Sequence, residues 1–255
     1  MKKIVSPLML AMSLATFGSA MAQTAPAAPE STLSFNAGVF SDYRYRGISQ
    51  SRLNLAVQGG ADYAHKSGAY IGVWGSSINW IKDTKVGANS GKAGTEVDIY
   101  GGYKFSVGDV AYDLGFLRYE YSGNELQKVS GYANANTNEL YGAVTLGVVT
   151  AKYSQSTGNL FGNVGSKGST YLDVTANFDL GDGYTLAPHL GRQAVKGGSF
   201  YSYTDYSLTL GKDMGKGMTA SAALIGTDAN KGAYVSPSGK QLGKAGVVVG
   251  LKYTF

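Results

Sequence analysis

The side chains that could carry out catalysis are few. The chain has two histidines, His65 and His189, and no cysteine. A barrel hydrolase needs a His beside a Ser or a carboxylate. His65 falls in the tight turn His65-Lys66-Ser67-Gly68, and His189 falls inside an alternating segment, where it reads as a polar interior residue rather than a base. Gly87 to Ala93 (G-A-N-S-G-K-A) imitates a phosphate-binding loop but is one residue short and lacks the Ser or Thr after the Lys. Asp228-Ala229-Asn230-Lys231-Gly232 offers two calcium-type ligands without the rest of the set, and reads as a loop turn. Without cysteine there is neither a disulfide nor a thiolate metal site. These absences argue against an enzyme, and no cofactor or metal is expected.

A denser constellation is Asp42-Tyr43-Arg44-Tyr45-Arg46. In an extended chain, alternation places Asp42, Arg44 and Arg46 on one wet face and both tyrosines on the other. Two uses share that geometry. The arginines could orient anions at the mouth of a channel. Equally, they could form a salt-bridged rung that holds the first strand to its neighbours, with the tyrosines as membrane anchors. Other charges fall on the same kind of face: Asp62, Glu96, Asp98, Asp113, Glu139, Asp173 and Asp205 against Lys104, Lys152 and Lys252. With Asp42, Arg44, Arg46 and His189 they are the candidate pore-lining residues. The wall leans acidic and the mouth basic, so a mild cation preference and a mild anion preference partly cancel, and only weak charge selectivity is expected.

The elements that must position these residues are strands. From the end backwards, Phe255, Tyr253, Leu251, Val249, Val247 and Ala245 occupy every second position, with Lys252, Gly250, Gly246 and Thr254 between them. One apolar face about ten residues long, backed by a wet face, suits a tilted strand that crosses a bilayer. Val249, Leu251, Tyr253 and Phe255 also have the form of the terminal signal by which outer-membrane proteins are recognised by the barrel-assembly machinery.

The amino terminus supplies a matching export signal. Lys2 and Lys3 precede an apolar stretch from Ile4 to Phe17, and Ala20-Met21-Ala22 forms an A-x-A cleavage site. Residues 1–22 are therefore expected to be a signal peptide, 23–31 a flexible lead-in and 32–255 an outer-membrane barrel in a Gram-negative bacterium. Without Lys2 and Lys3 the formal charge falls from +5 to about +3. That is too even to indicate nucleic acid. Gly (37) and Tyr (19) are abundant, which suits a curved sheet with aromatic girdles.

Between these ends, period-two segments predict twelve strands. Breaks around Ser67, Gly108, Gly147, Asp182 and Met214 are short, whereas Ile81 to Gly94, Ser122 to Thr137 and Ala229 to Lys244 are long. The pattern predicts an all-β fold: a single transmembrane antiparallel up-and-down β-barrel of about 12 strands, with short periplasmic turns and long external loops. The second strand is expected to begin at Leu53. The phase of Ala69 to Ser77 is ambiguous, because Tyr70 and Trp74 oppose Ile71 and Val73. Pro188 predicts a bulge in the ninth strand. Arg118 and Glu120 keep the apolar phase of Val110 to Phe116, so either a bulge turns them inward or the strand has left the membrane.

Ser41-Asp42-Tyr43-Arg44-Tyr45-Arg46-Gly47-Ile48-Ser49-Gln50-Ser51, with Val57-Gln58-Gly59-Gly60-Ala61-Asp62-Tyr63 and Gly72-Val73-Trp74-Gly75-Ser76, resembles the TorF family of proposed porins, long catalogued as a bacterial domain of unknown function. Glu96 to Tyr103, Tyr112 to Gly115 and Gly226 to Asp228 continue the likeness across the mature chain. The resemblance implies an outer-membrane channel and leaves its solute open.

Together these observations predict a porin-like channel for passive diffusion of small hydrophilic solutes. The alternative is a non-conducting barrel that acts as an adhesin or receptor through its external loops. Eight-stranded barrels are filled by side chains and those of sixteen or more strands are open. Twelve strands therefore predict a narrow or partly plugged pore, with Gly87 to Gly94 and Gly162 to Gly168 as the loops expected to fold in. Nothing in the sequence sets the oligomeric state.

Overall fold

A computed structural model describes residues 29–86 and 88–255. The expected signal peptide lies outside the described residues. Twelve antiparallel strands close into a barrel. They are β1 (Ser31–Phe40), β2 (Ala56–His65), β3 (Ala69–Ser77), β4 (Thr95–Val107), β5 (Val110–Tyr121), β6 (Thr137–Leu146), β7 (Val149–Ser156), β8 in two pieces (Thr170–Ala176 and Phe178–Gly181), β9 (Tyr184–Ala194), β10 (Tyr203–Gly215), β11 (Met218–Thr227) and β12 (Gly246–Thr254). Each strand pairs with its sequence neighbours, and β12 returns to β1 through Asn36↔Thr254 to Phe40↔Gly250. Beyond the ladder, Phe35 and Phe255 exchange backbone hydrogen bonds of 2.8 and 3.0 Å.

The apolar faces of the barrel strands form the outer surface. Leu33, Val57, Ile71, Ile99, Leu140, Leu172, Leu208 and Val247 are all exposed, and Val247 keeps 67% of its surface. A continuous apolar belt of this kind is excluded from water in a membrane barrel. Aromatic rings gather at the short-turn end. Phe105 stacks on Tyr112 at 5.0 Å, and Phe255 stacks on Tyr253 at 5.3 Å and Phe35 at 5.8 Å.

The turns at 66–68, 108–109, 147–148, 182–183 and 216–217 are tight. Asp182-Gly183 and Lys216-Gly217 both have positive φ at each residue, the two-residue geometry whose twist matches flanking strands. The last turn lies at 216–217, not at Met214, because β10 continues through Met214 to Gly215.

Four other details depart from the sequence expectations or settle what they left open. The second strand starts at Ala56 and not at Leu53, since Arg52 and Leu53 have positive φ and belong to the preceding loop. In β3, Ile71 and Val73 face outward while Tyr70 and Trp74 face the interior. Pro188 causes no bulge: the ladder with β10 runs through it unshifted. On its other side the register before and after the gap at Asn177 is the same, so the missing proline N–H splits β8 without moving it. Arg118 and Glu120 stay on the outer face with no register shift, beyond Phe116 at the long-loop end, and pair with each other.

Candidate functional site

The loop 41–55 does not extend the wall. After Phe40 the chain turns into the barrel and forms a hairpin in which Arg44–Tyr45 pairs with Ile48–Ser49. Its tip is Arg46-Gly47, with φ of 47° and 76°. A side chain at Gly47 would meet Thr227 Cγ2 at 2.4 Å and Asp205 Cβ at 2.7 Å, so glycine is required both for the turn and for the approach to the β10–β11 wall.

Asp42 fixes the base of the hairpin. Its carboxylate accepts hydrogen bonds from Ser49 Oγ (2.6 Å), Ser51 Oγ (2.8 Å) and the Arg44 guanidinium. Arg44 also donates to the backbone carbonyls of Gly47 (2.9 Å), Leu242 (3.0 Å) and Lys244 (3.1 Å). The last two tie the hairpin to the loop between β11 and β12.

The tip reaches two parts of the wall. Arg46 donates to Glu139 Oε2 on β6 (2.7 Å) and to Gln193 Oε1 on β9 (2.6 Å), with its guanidinium 4.2 Å from the centre of the Tyr171 ring on β8. Glu139 also accepts from the Tyr119 hydroxyl at 3.0 Å. A buried pair needs this extra bonding to offset its desolvation.

Tyr43 and Tyr45 point into the barrel and not outward, as plain strand alternation had predicted. Because the hairpin is a separate ribbon inside the lumen, its tyrosine face meets the wall of β3 to β6. Tyr43 donates to Glu96 at 2.7 Å and lies edge-on to Trp74 at 5.4 Å, while Tyr45 meets Tyr119 and Phe161. Glu96 and Asp98 consequently face inward but are covered, at 1% and 0% exposure. Both Asp98 carboxylate oxygens lack a hydrogen-bond partner among the described residues.

The loops expected to fold in do something else. Gly162 packs on Leu126, and its carbonyl accepts from Ala133 N at 2.8 Å. Ile78, Ile81, Ala93, Leu126, Val129 and Ala135 form a small apolar core in these loops, continuous with Tyr43 and Tyr119 below.

Below the hairpin the two halves of the lumen differ. Along β3 to β6 it is filled by tyrosines, each laid over a glycine directly opposite on the next strand: Tyr70 on Gly102, Tyr100 on Gly72 and Tyr141 on Gly115. Tyr70 donates to Asp113 at 2.6 Å, Tyr100 donates to Asp62, and Lys104 lies 4.0 Å from Asp113. Phe40 over Gly250 repeats the device at the closing seam. Composition alone had suggested girdle tyrosines; a second population lines the interior.

Along β8 to β12 the inward residues are small and polar, including Thr175, Thr185, Ser207, Thr209, Thr219 and Ser221, and a cavity of about 260 Å³ remains between them and the hairpin. His189 projects into it. Its Nε2 lies 2.9 Å from Asp205 Oδ1 and its Nδ1 lies 3.5 Å from Asp173 Oδ1. The Tyr171 hydroxyl donates to Asp205, and Thr175 Oγ1 donates to Asp173. With a carboxylate facing each ring nitrogen, neither is free to take a proton from a nucleophile.

Lys152 and Lys252 also border the cavity and form no ion pair among the described residues; Lys152 sits 3.8 Å over the Tyr141 ring. The sequence had suggested a basic mouth over an acidic wall. Ion pairing redistributes this: Arg44 and Arg46 are neutralised by Asp42 and Glu139, and the charges left around the open cavity are Lys152 and Lys252 together with Asp173 and Asp205, which share the one imidazole of His189.

A family model described as "bacterial protein of unknown function (Gcw_chp)" matches residues 23–255. The chain belongs to this family. No curated protein matches its sequence. Among solved structures, a KdgM porin in complex with disordered oligogalacturonate superposes with a TM-score of 0.55 at 9% identity, covering 88% of this chain and 99% of the porin. A NanC porin superposes with a TM-score of 0.55 at 12% identity, covering 87% and 99%. At such identities the likeness is one of fold: this Gcw_chp member has the barrel architecture of those porins.

Proposed function

We propose that the chain is an outer-membrane channel through which small hydrophilic solutes diffuse passively, with the hairpin at 41–51 setting its constriction. The observation that carries this is the cavity beside the hairpin, bordered by hydroxyl and charged side chains, inside a closed barrel whose exterior is apolar. In this reading 1–22 is a cleaved export signal, 23–30 a lead-in that ends one residue earlier than the sequence suggested because Ser31 already pairs in β1, and the terminal strand with Val249, Leu251, Tyr253 and Phe255 the part read by the assembly machinery. The long loops are external and the short turns periplasmic. Asp42, Arg44, Arg46, Lys152, Asp173, His189, Asp205 and Lys252 contact the solute path. Asp62, Lys104, Asp113 and Glu139 shape it from behind, and Glu96 and Asp98 lie beneath the hairpin. The Gcw_chp match spans the same residues as the TorF likeness, and a porin role suits both.

A second reading has one observation behind it. The hairpin is fastened at base and tip, as in a barrel that stays shut and works through its loops. Planar-bilayer recording of the refolded mature protein separates the two. Discrete conductance steps support the channel; heat-modifiable, folded protein that gives none establishes the closed barrel.

A further inference from the structure

We propose that the channel selects small anionic solutes, gathered by a basic external crown and received by Lys152 and Lys252 in the open half of the lumen. This rests on the channel reading and specifies what passes.

Three observations carry it. The acidic residues of the long loops are Asp42, Asp83, Glu125 and Asp228. The first three are engaged: Asp42 by Arg44, Asp83 by Arg52, and Glu125 by Lys92 (2.8 Å) and Lys128 (2.9 Å). Asp228 accepts from Thr204 N at 2.6 Å. The Lys92 and Lys128 hydrogen bonds hold the Glu125 carboxyl below its usual range, so it stays charged and matched. By contrast Lys82, Lys85, Lys167, Lys196, Lys231 and Lys240 form no ion pair among the described residues. The crown therefore has a surplus of positive charge.

The opposite rim carries the other sign. Asp109, Asp179, Asp182 and Asp213 lie at or beside the short turns and outnumber Lys212 and Lys216 there, while Lys66 is paired with Glu30. A field that falls from positive outside to negative inside draws anions to the mouth, and low-dielectric walls focus it.

Within the lumen, the carboxylates that border the cavity are held by partners: Asp42 by Arg44 and two serines, Asp173 and Asp205 by His189, Thr175 and Tyr171. Lys152, with Asp173 opposite it on β8 but beyond ion-pair distance, and Lys252 are the cations that border the cavity without an ion pair among the described residues. The hydroxyls of Thr185, Ser207, Thr209, Thr219 and Ser221 supply neutral hydrogen bonds, and Asp205 is the one carboxylate of β9 to β11 that borders the cavity.

The test uses the refolded mature chain in neutral zwitterionic lipid, so that no anionic lipid headgroup contributes. In a potassium chloride gradient the reversal potential should give a chloride-to-potassium permeability ratio above one. Lys152→Met with Lys252→Met should bring it towards one. Lys82→Glu, Lys167→Glu and Lys231→Glu together should lower it at 0.1 M salt and not at 1 M, because the Debye length shrinks from about 10 Å to about 3 Å. A ratio of one or less in the unaltered protein overturns the proposal.

A second measurement needs no conduction. Trp74 borders the cavity and Trp80 is the other tryptophan, so Trp80→Phe leaves one reporter. Iodide should quench it more strongly than caesium, and the Lys152→Met, Lys252→Met pair should narrow the difference. Stronger quenching by caesium overturns the proposal. Preferential iodide quenching without conductance would instead sustain the anion site and sink the channel reading.

Discussion

Arg46 Nη2 lies 2.7 Å from Glu139 Oε2, so the tip of a loop that leaves β1 is bonded to the wall at β6. With the Gln193 contact on β9, the guanidinium anchors the hairpin within the lumen. Arg46→Ala should strand a carboxylate that is 2% exposed, at a cost of roughly 3–5 kcal/mol. Single-channel conductance should rise as the hairpin loosens, and urea unfolding in vesicles should shift to lower concentration. Glu139→Gln, which keeps a neutral acceptor, should do less of both. An Arg46→Ala protein with unchanged conductance would show that the constriction lies elsewhere.

The tyrosine–glycine pairs make a sharper stability prediction. A Cβ at Gly72 would come within 2.5 Å of the Tyr100 ring, and overpacking of this kind costs about 1–3 kcal/mol. Gly72→Ala should therefore lower the urea midpoint, and Tyr100→Leu in the same chain should restore part of the loss. Additive losses would mean that ring and glycine do not share the space.

Leu208 and Ser207 are adjacent on β10 but face opposite media: Leu208 is exposed on the belt and Ser207 borders the cavity. Leu208→Arg should lower unfolding free energy in vesicles by about 2–4 kcal/mol, as an arginine on the lipid face near mid-bilayer does. Ser207→Arg should leave stability near the parent value and lower conductance instead. Equal destabilisation by both would refute the assignment of the two faces.

Phe255 completes the seam with β1 through its stack on Phe35 and two backbone hydrogen bonds. The stack is worth about 0.5–1.5 kcal/mol, so deleting Phe255 should cost little in refolded protein. In cells, the heat-modifiable fraction in the outer membrane should fall far more, if the residue is read during assembly. Matching losses in the two settings would assign Phe255 a structural role only.

The strands were legible because alternation is a local signal: Val144 and Leu172 face outward and Lys152 and Asp173 inward, as the pattern required. The hairpin was not, for the same reason. Asp42 to Arg46 alternate like any strand, and only contacts with Glu139 and Gln193 distinguish a ribbon inside the lumen from a continuation of the wall. The usable local hint was Arg46-Gly47, a two-residue turn between short extended pieces, with Ser49 and Ser51 placed to bind Asp42. The tyrosines escaped for another reason. Tyr100 opposite Gly72 is a fact of register between strands, which no single segment contains.

The hairpin follows the first strand, yet its tip is bonded to residues 93 and 147 positions further along the chain. Loop closure over such spans comes late, since its entropy must be met before the contacts reward it. A segment synthesised near the beginning therefore waits for partners made much later. Until β6 and β9 are in register the hairpin has nothing to fasten its tip to, and the open side of the bore is left wider by that much.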